Sequence, residues 1–275
     1  MPPVQLYSEF IAGQSSLQRA RGFARDAALL GLSVTRSFRG EPGCIRFPFY
    51  HHVFDDERAD FARQLDALRR IGDFIALDDA VECLTSERPI SGSFVCVTFD
   101  DGYLNNATNA MPILLDKKVP AAFFLATRFI NTHVDRDREL LLSFFEGGRR
   151  LVPFLSWEDC RRMAAAGMTI GSHGVNHVPL ATLDEARALA ELTDSKAVIE
   201  RELGQPCHHF GAPFGKPDEH YLPARDPHLA VQAGYRSFLT TLRGPSSAGD
   251  SALAMRRDHL IAGWGNHQVR YFLGS

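Results

Sequence analysis

Cysteine is scarce in this chain. Its five residues, Cys44, Cys83, Cys96, Cys160 and Cys207, are odd in number, widely spaced and without a C-x-x-C pair. This argues against a disulfide framework and a thiolate zinc knuckle; reduced thiols fit best. An excess of one charge is also missing: 30 basic and 33 acidic residues are interspersed, for a formal net charge of −3. That balance has neither the electrostatic footprint of a nucleic-acid binder nor a polybasic membrane patch. No apolar run approaches the roughly 18 uncharged residues that span a bilayer. Nor does the N-terminus show a basic start followed by an apolar core, because Arg25 and Asp26 interrupt the nearest candidate, residues 23–34. The expectation is a cytoplasmic protein without a membrane span or a nucleic-acid partner, its oligomeric state open.

What is present is alternation. At 275 residues the chain can build one large core. Residues 1–43 read as an extension with an amphipathic helix, in which Leu17, Ala20, Phe23, Ala24, Ala27, Ala28 and Leu30 recur at near-helical spacing. Over residues 44–275, strand-like segments (45–50, 74–77, 94–99, 121–125, 168–171, 209–212, 235–241) alternate with helical ones (58–71, 77–84, 107–117, 156–166, 181–203, 230–234). Such alternation predicts parallel strands with helices outside, a barrel or a doubly wound sheet. A charged, irregular stretch at 131–150 interrupts the rhythm as an insertion.

Two segments carry candidate chemistry. The apolar run Phe94 to Phe99 delivers Asp100 and Asp101 into a turn at Gly102, and two adjacent carboxylates in a partly dry cleft stay ionised only beside a cation or several hydrogen bonds. The second is Ser172-His173-Gly-Val-Asn-His177, which also follows a strand. With 11 histidines in the chain, chance supplies roughly 0.4 pairs at this spacing, so context decides. In parallel α/β folds, functional groups gather at the carboxyl ends of strands, and both segments open there. Two imidazoles and a carboxylate form a facial set for a divalent cation, leaving the other carboxylate free as a base. A third segment, Phe210-Gly-Ala-Pro-Phe-Gly215, is a turn able to aim backbone N–H groups at an oxyanion. Tyr50-His51-His52 ends the first barrel strand on the same face, with one of its histidines expected in solvent.

Thr98-Phe-Asp-Asp-Gly102, Ser172-His-Gly-Val-Asn-His177 and Phe210-Gly-Ala-Pro-Phe-Gly215, in this order and spacing, resemble the polysaccharide deacetylases of carbohydrate esterase family four, the NodB homology domain. The likeness covers residues 45–243. It implies a distorted (β/α) barrel in which Asp100 is the catalytic base and Asp101, His173 and His177 bind the metal. Asp100 would take a proton from metal-held water, which attacks an acetamide carbonyl, and the Phe214 backbone N–H would stabilise the oxyanion. The implied cofactor is a divalent ion, zinc first, with cobalt, nickel, manganese or iron also compatible. The implied partner is an N-acetylated carbohydrate, as in surface polysaccharide biosynthesis. The chain departs from the family where an arginine usually opens the third motif: Gly211 stands there, with Arg256 or Arg257 as the candidate replacement. The late Leu-x-x-His motif is not recognisable, which leaves His259 and His51 as candidate general acids.

Three alternatives compete: an amidohydrolase of a small non-sugar amide, a carbohydrate-binding member without catalysis, and a non-haem iron oxygenase. The close His-x-carboxylate spacing usual in the last is absent.

Overall fold

The computed structural model describes residues 2–275 except 14, 87, 146, 147 and 149, so these last three positions of the 131–150 insertion lie outside the described residues. Seven short strands form the main sheet: β1 (Pro48–Tyr50), β2 (Val97–Phe99), β3 (Ala121–Leu125), β4 (Thr169–Ser172), β5 (His209–Gly211), β6 (Ser237–Leu239) and β7 (Asp258–His259). Their spatial order is β7-β1-β2-β3-β4-β5-β6, with every neighbouring pair parallel. All positions of β1, β2, β3, β5 and β6 are buried, which explains apolar runs without a period of two: both faces of the sheet are covered.

The sheet curls until the segment that holds its edge strand β7 also bonds the opposite edge, at β6. Met255 N donates to Phe238 O at 3.0 Å and Arg257 N to Leu242 O at 2.8 Å on one side. Asp258 N and Leu260 N donate to the carbonyls of Phe47 and Phe49, both at 2.9 Å, on the other. The result is the distorted (β/α) barrel that the resemblance implies, one of the two folds the alternation allows, and this segment carries Arg257 into its interior.

Two expected strands divide. Residues 45–50 and 94–99 break at Phe47 and Cys96, and their first halves, Cys44–Arg46 and Ser93–Val95, join a separate four-stranded sheet with Asp73–Phe74 and Ser246–Ser247. The second run stays apolar across its break, Val95-Cys96-Val97, so periodicity carries no trace of it there. Cys96 N donates to Arg46 O at 2.9 Å, keeping the two ribbons in step across it. The helix expected at 230–234 is Asp226–Gln232, and the one at 107–117 begins as a π-turn, Asn106–Ala110, before Met111–Asp116.

Near the N-terminus, the short helix Tyr7–Phe10 precedes α1 (Ser16–Ser33). The apolar stripe that marks α1 in the sequence turns away from the body, since Leu17, Phe23 and Leu30 are exposed. Polar anchors fix the opposite orientation. Asp26 meets His267 Nε2 at 2.8 Å, and Ser33 Oγ accepts from Arg270 Nη2 at 2.9 Å. The helix α2 (Glu185–Leu203) starts at Asp184, whose carboxylate accepts from Arg187 N at 2.9 Å, and stops at Gly204 with φ 66°. The C-terminal α3 (Asn266–Leu273) carries both partners of α1.

Candidate active site

The carboxyl end of β2 sets the two aspartates. Asp100 N donates to Tyr50 O at 2.9 Å, after which the backbone turns left-handed at Asp101 (φ 73°) and Gly102 (φ 86°). Only glycine fits the second position: a Cβ there would lie 2.9 Å from Ile130 Cδ1 and 3.0 Å from Leu125 Cδ2. His177 (φ 54°) and Phe214 (φ 59°) share the unusual conformation. Each such residue costs about 1–3 kcal/mol, and their gathering here marks a place where geometry overrides local comfort.

Asp101, His173 and His177 each offer one ligand atom, all within 4.8 Å of one another. Nε2 of His177 lies 3.1 Å and Nε2 of His173 3.4 Å from the same Asp101 Oδ1. Neither contact has hydrogen-bond geometry, and that oxygen is left buried without a hydrogen-bond partner. His173 Nδ1 lies 2.7 Å from the Gly211 carbonyl, which can only accept, so Nδ1 carries the proton and Nε2 turns a lone pair toward Asp101. An orphaned carboxylate oxygen and a tautomer set by the backbone fit a divalent cation. Burial pushes the His173 pKa down to about 4. For Asp101 burial acts upward, but the charge of His177, its proximity, and His51 and His173 outweigh it and hold the carboxyl far below the usual range.

Asp100 has a different partner. Arg257, fully buried, donates Nη1 to Oδ1 at 2.7 Å and Nη2 to Oδ2 at 2.9 Å, while its Nε donates to Thr240 O at 2.9 Å. Its guanidinium carbon lies 4.5 Å from the Phe49 ring centroid and 5.5 Å from that of Phe124. Burial raises the Asp100 pKa, but Arg257 first, then His173, bring it below the ordinary value. The structure thus selects Arg257 over Arg256 as the replacement cation. It also shows why Gly211 stands where an arginine would be expected. A Cβ there would press on Phe124 at 3.1 and 3.2 Å and on His173 Nδ1 at 3.3 Å.

His51 and His259 face each other across the site, Nδ1 to Nε2 at 3.2 Å, and both line its cavity. Burial pushes the His259 pKa down to about 3. The expectation of a solvated histidine beside His51 is corrected: His52 stacks between Tyr103 (4.0 Å) and Phe54 (4.6 Å), and burial takes its pKa to about 3 as well. The Phe214 N–H has no acceptor among the described residues. The Phe214 ring lies 4.7 Å from that of His177, and Phe144, from the insertion, stacks on His177 at 4.6 Å. The cavity measures about 730 Å³, and the N-terminal Tyr7, Phe10 and Ile11 complete its wall with Phe145 and Arg150.

Sequence reading missed two supports. Glu191, on the inner face of α2, accepts from Val175 N at 2.8 Å and Asn176 N at 2.9 Å, and so fixes the loop between the two histidines. A charge at the helical spacing of Ala188, Leu192 and Ser195 was the available signal. The other is Tyr103, buried beside Asp101, whose negative charge adds to burial in pushing the phenol's pKa up.

A curled parallel sheet with a two-histidine, one-carboxylate centre at its carboxyl ends defines a (β/α)-barrel protein with a group of residues that could hold a metal ion. Residues 87–237 match the family model for polysaccharide deacetylase, more than half of the chain, and the chain belongs to that family. Among curated proteins it is similar to the putative polysaccharide deacetylase YxkH of Bacillus subtilis (strain 168), with 27% identity over 180 residues. The match takes in 66% of this chain and 56% of that relative's length. Among solved structures, IcaB from Ammonifex degensii superposes with a TM-score of 0.68 and 23% identity, covering 86% of this chain and 99% of the other. The deacetylase PplD of Streptococcus pyogenes, in complex with acetate, gives 0.66 and 20%, covering 85% and 99%. At these identities the two structures show the fold.

Proposed function

We propose that the protein is a metal-dependent hydrolase that removes the acetyl group from an N-acetylated sugar, in the building of a surface polysaccharide. One observation carries this reading: two adjacent carboxylates have different partners, Asp101 two imidazoles and Asp100 a buried arginine. Such a division suits a metal ligand beside a base. Asp101, His173 and His177 would hold the cation, zinc before cobalt, nickel, manganese or iron. When bound, it supplies Lewis acidity, polarising a carbonyl and acidifying water.

The chain's own groups do the rest. Asp100, kept ionised by Arg257, takes a proton as water oxygen attacks the acetyl carbonyl. The Phe214 N–H donates to the oxygen that gains charge. His259, with its depressed pKa, is neutral at working pH, so we assign protonation of the leaving nitrogen to His51. The C–N bond then breaks, giving acetate and a free amine. Membership of the family and the aromatic walls of the cavity, Phe49, Tyr103 and Phe144 among them, favour a sugar over a small amide.

The test is acetate release by the zinc-loaded protein from N-acetylhexosamine oligomers and from a panel of small linear and cyclic amides. Release from the oligomers supports the proposal; turnover of the amides alone overturns its sugar part. No release from either, at full metal occupancy, favours a carbohydrate-binding role.

A further inference from the structure

The balanced charge of the whole chain hides a local exception. Residues 16–39 contain five arginines (Arg19, Arg21, Arg25, Arg36, Arg39) and one acid, Asp26, in a protein whose net charge is −3. Asp26 is already engaged by His267. The same segment holds five of the nine large hydrophobic side chains that stand exposed among the described residues: Leu17 (59%), Phe23 (79%), Leu30 (54%), Leu32 (54%) and Val34 (72%). At about 100° per residue, Leu17, Ala20, Phe23, Ala24, Ala27 and Leu30 form one apolar arc of roughly 140° along α1, while Leu29 and Ser33 dock the other face. Arg21 and Arg25, both exposed, lie between the arc and the docked face. A contiguous apolar patch with a charged rim is an interaction surface.

We propose that α1 is a membrane-surface helix, lying on an anionic lipid bilayer with Phe23 and Leu30 sunk at the headgroup boundary and Arg21 and Arg25 on lipid phosphates. The charge decides the occupant. A second copy of the chain would bring like-charged arginine rims together with no free acid on α1 to meet them. Attachment is peripheral, since no described helix is long and apolar enough to cross a membrane. Tyr7, in the cavity wall, lies within Coulombic reach of Arg25, so the helix sits beside the cavity.

The test is sedimentation of the full chain with vesicles of phosphatidylglycerol and phosphatidylcholine in equal parts, and with phosphatidylcholine alone. The proposal expects binding to the anionic vesicles only, reversed by high salt. Phe23→Ser with Leu30→Ser should weaken it at least about tenfold, and Arg21→Glu with Arg25→Glu comparably. All four positions are exposed, so far-UV circular dichroism and melting should match the parent. Absence of binding, equal binding to neutral vesicles, or binding that survives the serine pair overturns the proposal. So does a stable dimer in light scattering that the serine pair dissolves, which would assign the stripe to a second copy.

Discussion

Replacing Arg257 with methionine keeps most of the side-chain volume and removes the charge that faces Asp100. The guanidinium is 0% exposed and the Asp100 side chain 3%, so water cannot screen what is left. Breaking a buried ion pair of this kind costs about 3–5 kcal/mol. The loss depends on pH with a definite sign. With Arg257 present the folded-state pKa of Asp100 lies below 3.8, and the resulting stability is present above that pH and lost as pH falls through the folded value. Without it, burial dominates and the folded pKa rises above the unfolded one. The deficit of Arg257→Met should then be largest near pH 7.5 and shrink toward pH 4.5, as the carboxylate takes up a proton. Urea unfolding of the metal-free parent and variant at both pH values reads the difference directly. Turnover at neutral pH should fall roughly 10²-fold, with the acid limb of the rate profile displaced upward, because the base is ionised over a narrower range. A loss under about 1 kcal/mol, or one independent of pH, would refute the view that this pair holds Asp100 as an ionised base.

Two further outcomes follow from the same geometry. His52, His173 and His259 titrate near 3, 4 and 3 in the folded protein against 6.5 unfolded, while buried Glu57 titrates near 7 against 4.5. Between pH 6 and 5 the unfolded chain binds three histidine protons and the folded one a glutamate proton, a net of about two, so the metal-free protein should lose about 2–3 kcal/mol across that unit. Chemical denaturation over this range checks it, and a flat or rising stability contradicts it. Glu191→Gln should lower zinc affinity about 10–100-fold in chelator competition, by loosening the loop that carries His177. Unchanged affinity would mean that the loop holds its shape without the carboxylate.

The parts of the site legible in the sequence are local in the chain. Asp100-Asp101-Gly102 and His173 to His177 each combine a strand end, a tight turn and ligand-type side chains, and each sits where a parallel strand delivers its carboxyl end. Arg257 was legible only as one of two neighbours, because no local pattern says which of Arg256 and Arg257 points inward. That depends on the segment lying between β6 and β1, and its bonds to β1 join residues more than 200 positions apart. Glu191 was obscured by its helix, where a single charge among apolar positions reads as noise until the loop it supports is in view. The break at Cys96 left no mark because Val95, Cys96 and Val97 carry the apolar run straight across it. For α1 the spacing identified a helix with an apolar stripe but not its direction, since Asp26, Leu29 and Ser33, rather than the side chains of the stripe, make the docking contacts.

The division of roles between the two aspartates can be tested in one comparison, the zinc-loaded parent against Asp100→Asn, measuring bound zinc and released acetate on the same samples with an N-acetylhexosamine oligomer. The account predicts one zinc per chain in both, acetate and free amine in equal amounts from the parent, and no acetate above background from the variant. Acetate release by Asp100→Asn at the parental rate, with zinc still bound, would contradict it.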